Sequence, residues 1–100
     1  MFPIFALSFR TYIMKIIIAG AGEVGFHLAK LLSYESLDIT LIDTLKDRLN
    51  YAEGHLDIKT LRGNASSLAV LKESDTSESD LFIAVTASES VNITICALAK

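Results

Sequence analysis

Short apolar runs and longer amphipathic segments alternate along this chain. The runs are Met14 to Ala19, Asp38 to Asp43, Ile58 to Leu61 and Leu81 to Val85. The first is Ile-rich with no polar alternation, as expected of a parallel strand covered on both faces, and the other three read as further strands. Between them, apolar residues recur at helical spacing. Val24, Leu28, Leu31 and Leu32 predict a core-facing stripe on a helix over about 23–34. After Thr44, Leu45, Leu49, Ala52 and Leu56 fall in step on a second helix, with Gly54 placed as its C-cap. A third helix carries Leu68, Val70 and Leu71, capped by Ser66 or Ser67. A fourth, capped by Ser88 or Ser90, runs through Val91, Ile95 and Leu98, with Ile93, Cys96 and Ala97 making its other faces apolar. Lys72 to Asp80 is polar and acidic and reads as a solvated helix end and loop.

Strand-helix alternation of this kind predicts an α/β, Rossmann-like, doubly wound parallel sheet. Right-handed crossovers place strands two and three on one side of strand one and strand four on the other, giving the order 3-2-1-4. The pattern reaches Lys100 in mid-course, and a complete doubly wound sheet adds two further strands. The expectation is therefore a domain truncated after strand four and the start of the following helix. Residues 1–13 are apolar, yet no basic residue precedes the run and no small-residue cleavage site follows it, which makes a poor signal peptide. They read as an N-terminal extension ahead of a single α/β domain over 14–100.

Composition narrows the function. One hundred residues with 51% apolar content make one domain. A net charge of −3 leaves no electrostatic footprint for nucleic acid or an anionic membrane surface. Cys96 is the single cysteine, and His27 and His55 stand far apart, so neither a disulfide nor a metal cluster is expected; a reducing cytoplasm fits. No apolar run reaches the roughly 18–20 residues of a spanning helix, so no direct membrane insertion is expected.

The chemistry concentrates at Gly20-Ala21-Gly22-Glu23-Val24-Gly25, a GxGxxG run between the first strand and the first helix. Gly20 suits the tight turn, Gly22 lets a pyrophosphate approach the backbone, and Gly25 lets helix and strand come close. The free N–H groups opening the helix favour an anion. Asp43, eighteen positions after Gly25 at the end of the second strand, can accept both ribose hydroxyls. The predicted topology brings Asn64 and Thr86 to the same sheet edge. Asn64 reads equally as a turn residue bonding its own backbone, and Thr86 equally as a strand-ending β-branched residue. Neither histidine lies on a strand-end loop, and no nucleophile-base spacing is recognisable.

Four blocks together resemble a known family: Met14 to Gly25, Leu41-Ile42-Asp43 with Asp47-Arg48-Leu49, Gly63-Asn64-Ala65, and Ala84-Val85-Thr86-Ala87 with Glu89 and Asn92. The chain is similar over 14–100 to the RCK or KTN domains, the N-terminal nucleotide-binding domains of TrkA-type proteins of the Trk potassium uptake system. It departs from the family at Asn64, where an acid is usual, and at Leu45, where one is frequent. The resemblance implies a regulatory module, not an enzyme: a cytoplasmic subunit, peripheral at the inner face of the plasma membrane, that gates potassium transport. It implies NAD(H) or ATP/ADP as ligand, a membrane potassium transporter subunit as partner, and a homo-oligomer, dimer or larger. The nucleotide-binding residues carried over are Gly20, Ala21, Gly22, Glu23, Val24, Gly25, Asp43, Thr44, Arg48, Asn64, Ala65, Thr86 and Ala87. The alternative is the cofactor-binding half of an NAD-dependent oxidoreductase, which a catalytic His or Lys in continued sequence would distinguish.

Overall fold

Strand β1, Lys15–Ala19, is the centre of the sheet, and its apolar residues divide between two cores. Ile16 and Ile18 face one side, where they pack with Ile39, Leu41, Ala29, Leu49 and Ala52; Ile17 and Ala19 face the other with Ile42 and Ala65. A strand with no polar alternation is therefore explained by burial on both faces. The structure is a computed structural model and describes residues 13–65, 67–73, 78–86 and 92.

Around β1 the elements follow in order: helix α1 (Glu23–Leu32), β2 (Asp38–Asp43), α2 (Lys46–His55), β3 (Lys59–Arg62), α3 (Leu68–Glu73) and β4 (Leu81–Ala84). The strands form one parallel sheet in the order β3-β2-β1-β4, as the crossover rule predicts. Ile17 pairs with Thr40 on one side and with Phe82 on the other. The carboxyl ends of β1 and β4 are joined by the Val85 N–H donating to Ala19 O at 2.8 Å. At their opposite ends, the Asp80 carboxylate accepts from the Lys15 N–H at 2.7 Å. Asp80 belongs to the acidic stretch expected to be mere solvated surface; this contact gives it a place in the sheet.

The helices depart from the expected stripes in two respects. On α1 the inward residues are Gly25 and Ala29, flanked by Leu28 and Leu32, whereas Val24 and Leu31 are 64% and 54% exposed. The phase is set by Gly25: a Cβ there would lie 1.7 Å from Gly20 O, so that position must face the turn, and Val24 rotates outward. In α2 only Leu49 and Ala52 are buried; Leu45 is the N-cap and half exposed, and Leu56 follows the helix, partly buried against the core. Gly54 lies within α2, and not at its C-cap; the chain leaves in extended conformation at Leu56, with Leu56 N–H donating to Ala52 O. Apart from Asn92, the expected helix around Val91 to Leu98 falls outside the described residues, as do the Ser66 cap and the N-terminal segment up to residue 12. Among the described residues, no helix is long and apolar enough to cross a membrane.

Candidate functional site

The turn between β1 and α1 is held from beneath by β2. Gly20 has φ 116°, which L side chains rarely adopt, and its N–H donates to Ile42 O at 2.7 Å. A Cβ at Gly20 would also sit 2.8 Å from Val85 O, so the turn lies directly against the end of β4. Gly22 is the extended N-cap of α1, and Phe26 N–H donates to its carbonyl at 2.9 Å, closing the first helical turn. No side chain caps this end, and Glu23 stands in the first turn. The N–H groups opening the helix thus have no partner within it and face the turn.

Asp43 ties the turn to the next helix. Its Oδ1 accepts from the Ala21 N–H at 3.2 Å, and its Oδ2 accepts from the Leu45 N–H at 3.1 Å, an Asx-type bond that orients the start of α2. Its main-chain carbonyl accepts from Gly63 N–H at 2.9 Å, linking β2 to the loop after β3. In the first turn of α2, Arg48 Nη1 lies 3.9 Å from Asp43 Oδ2; the carboxylate side chain is 11% exposed and the guanidinium side chain 51%.

Two cavities flank Arg48. One, of about 250 Å³, lies over the strand ends and is lined by Gly20, Ile42, Asp43, Thr44, Arg48, Gly63, Asn64, Ala65 and Thr86. The other, of about 410 Å³, lies between the starts of α1 and α2 and is lined by Ala21, Gly22, Glu23, Phe26, Asp47, Arg48 and Tyr51. Every described residue expected at the site therefore lines one of them except Val24, whose side chain turns to a separate surface groove, and Gly25, which is buried under the turn. Ala87 falls outside the described residues.

Asn64 and Thr86 are bonded as well as placed. The Asn64 main-chain carbonyl accepts from Ser67 N–H at 2.9 Å, a bond that closes the turn whatever the side chain, and the residue lines the cavity. Thr86 is clamped by Asn92: its N–H donates to Asn92 Oδ1 at 2.8 Å, its hydroxyl donates to the same oxygen, and Asn92 Nδ2 donates to Thr86 O at 3.1 Å. That fixes the end of β4 where it abuts Gly20. Phe26 and Tyr51 were not expected at the site, and Asp47 was noted only as part of a family-like block. The available signal was Tyr51 three positions after Arg48, on the same face of α2; its ring lies 5.2 Å from that of Phe26 and stacks 4.1 Å from His55.

Comparison with known proteins agrees with this frame. Residues 16–100 match the family described as the TrkA-N domain. The Trk system potassium uptake protein TrkA of Halomonas elongata is 45% identical over 86 residues, covering 86% of this chain and 19% of that protein. The protein of the same name from Haemophilus influenzae is 42% identical over 83 residues, covering 83% and 18%. A TrkA homolog from Archaeoglobus fulgidus is 39% identical over 80 residues, covering 80% and 18%. The chain thus spans under a fifth of the length of these relatives. Among solved structures, Shewanella denitrificans Kef CTD in AMP bound form superposes with a TM-score of 0.71 at 22% identity, covering 85% of this chain and 50% of that one. With the match running from β1 through the glycine turn and Asp43 to the clamped end of β4, this chain belongs to the TrkA-N domain family.

Proposed function

We propose that this domain binds NAD(H) or an adenine nucleotide at the carboxyl edge of its sheet and serves as a regulatory unit of a potassium uptake system. The observation that carries the reading is the Asp43 carboxylate, fixed by the Ala21 and Leu45 N–H groups beneath the glycine turn. Each of its oxygens keeps acceptor capacity beyond those bonds, which suits paired ribose hydroxyls. The open N–H groups of α1 suit the adjoining phosphate. The names of the relatives supply the potassium uptake system, and the AMP of the Kef structure supports a nucleotide ligand.

The role read here is regulatory, in line with relatives named for potassium uptake. His27 lines the outer groove of α1, and His55 ends α2 with its Nδ1 at 2.7 Å from Tyr51 O; neither lines a cavity at the turn. In this reading the protein works in the cytoplasm at the inner face of the plasma membrane, docked as an oligomer on a membrane potassium transporter subunit. Nucleotide controls transport by favouring one of two assembly states over the other, to the extent that its affinity for the two differs.

Calorimetric titration with NADH, NAD, ATP and ADP tests the ligand class, and Gly22→Val tests the position. A Cβ at Gly22 would meet nothing closer than Arg48 Nη1 at 3.6 Å, the far end of a flexible side chain that can move aside, whereas an approaching phosphate would meet the added side chain directly. The variant is expected to lose nucleotide binding at a stability cost of about 1–2 kcal/mol, that of a poor N-cap. Unchanged nucleotide affinity would remove the site from the glycine turn.

A further inference from the structure

Arg48 holds a position that a ligand phosphate would contest. Its guanidinium lies 3.6 Å from the point where a Gly22 Cβ would be, in front of the backbone that a phosphate must approach, and it lines both cavities. A cation there faces the positive end of α1, an unfavourable placement. What offsets it is Asp43, at 3.9 Å. That separation is long for a charge-assisted bond, and the guanidinium side chain is half exposed, so the pair is weak and open to exchange.

We propose that Arg48 is the phosphate counter-ion of the site and that ligand entry exchanges its partner. Without ligand, Arg48 and Asp43 neutralise each other. With ligand, the 5′-phosphate lies between the guanidinium and the start of α1, where both attract it, and Asp43 turns its free acceptor capacity to the ribose. The planar guanidinium suits this role better than a point charge, because its donors can engage two phosphate oxygens at once. The exchange commits the site to 5′-phosphorylated nucleosides: a nucleoside without phosphate would have to take Asp43 from Arg48 and give the guanidinium nothing in return. The inference rests on the nucleotide reading above and adds to it which side chain selects for phosphate.

The test is titration of the full chain and its Arg48→Gln and Arg48→Lys variants with AMP and with adenosine, followed by calorimetry and, for weak binding, by ligand-observed NMR. Arg48→Gln is expected to weaken AMP by about tenfold or more, the loss of a charge-assisted bond, with Arg48→Lys intermediate. Adenosine is expected to bind Arg48→Gln no more weakly than the unaltered chain, because Asp43 no longer has a competing partner. A loss confined to AMP does not arise from a structural role, which would weaken both ligands alike. AMP affinity unchanged in Arg48→Gln, or AMP and adenosine reduced by the same factor, overturns the exchange while leaving the nucleotide site in place. Failure of AMP, NADH and ATP alike to bind the unaltered chain overturns the nucleotide reading and the exchange with it.

Discussion

Adding one methyl group to Gly25 would place it 1.7 Å from the carbonyl oxygen of Gly20 and 2.7 Å from the attached carbon. Neither atom can withdraw, since the Gly20 N–H is bonded to β2 and the turn lies against the end of β4. Gly25→Ala should therefore cost at least the upper part of the ~1–3 kcal/mol typical of overpacking, read as a lower urea midpoint. A variant as stable as the original would mean that the turn relaxes freely. Asp43 carries the second expectation at this scale. A ribose 2′-phosphate would bring its charge to a carboxylate that is 11% exposed, while the compensating Arg48 is 51% exposed and better screened by water. The more buried charge decides, so NADP should bind about tenfold or more weakly than NAD. Equal or tighter NADP binding in a competition titration would count against Asp43 as the ribose acceptor.

At the scale of elements, α2 offers a clean contrast with the turn. Gly54 sits in the last turn of the helix with nothing within 4 Å of a prospective Cβ, so Gly54→Ala should stabilise the chain by a few tenths to about 1 kcal/mol, visible as a higher urea midpoint. A loss of stability would show that Gly54 does serve a chain-reversal role. The sequence misplaced this residue because a glycine near a helix end signals a C-cap only when φ is positive there, and Gly20 is the glycine with that conformation. The strands were legible for a simple reason: Ile16 to Ala19 is an unbroken apolar run, Ile39 to Ile42 is interrupted only by the β-branched Thr40, and the strand order follows from crossover handedness. The glycine turn and Asp43 were legible because the sheet places a strand end, a turn and a helix start in fixed register. The face of α1 was not. Periodicity gives a stripe, but the helix phase is fixed by the close approach of Gly25 to Gly20, a residue with no side chain to enter the pattern. Asp80 was missed for a related reason, since its bond to the Lys15 N–H joins residues 65 positions apart.

At the scale of the whole molecule, β4 pairs with β1 on one edge and, among the described residues, with no strand on the other. Its sequence, Leu81-Phe82-Ile83-Ala84, contains none of the lysines or prolines that natural edge strands use to repel other chains. Leu81 is 46% exposed at its start. A second apolar surface lies on α1, where Val24 and Leu31 stand one above the other two turns apart. Self-association in solution is therefore expected, as dimers or larger assemblies, and the β4 edge is the better candidate because strand addition also satisfies backbone N–H and C=O groups that an α1 contact would leave unchanged. Light scattering across a dilution series measures it, with two substitutions to locate it. Leu81→Lys should shift the series toward monomer by placing a charge on the edge, while Val24→Lys should have little effect. The reverse result would move the interface to α1, and a monodisperse monomer of the unaltered chain at high micromolar concentration would show that neither surface is open to a second copy.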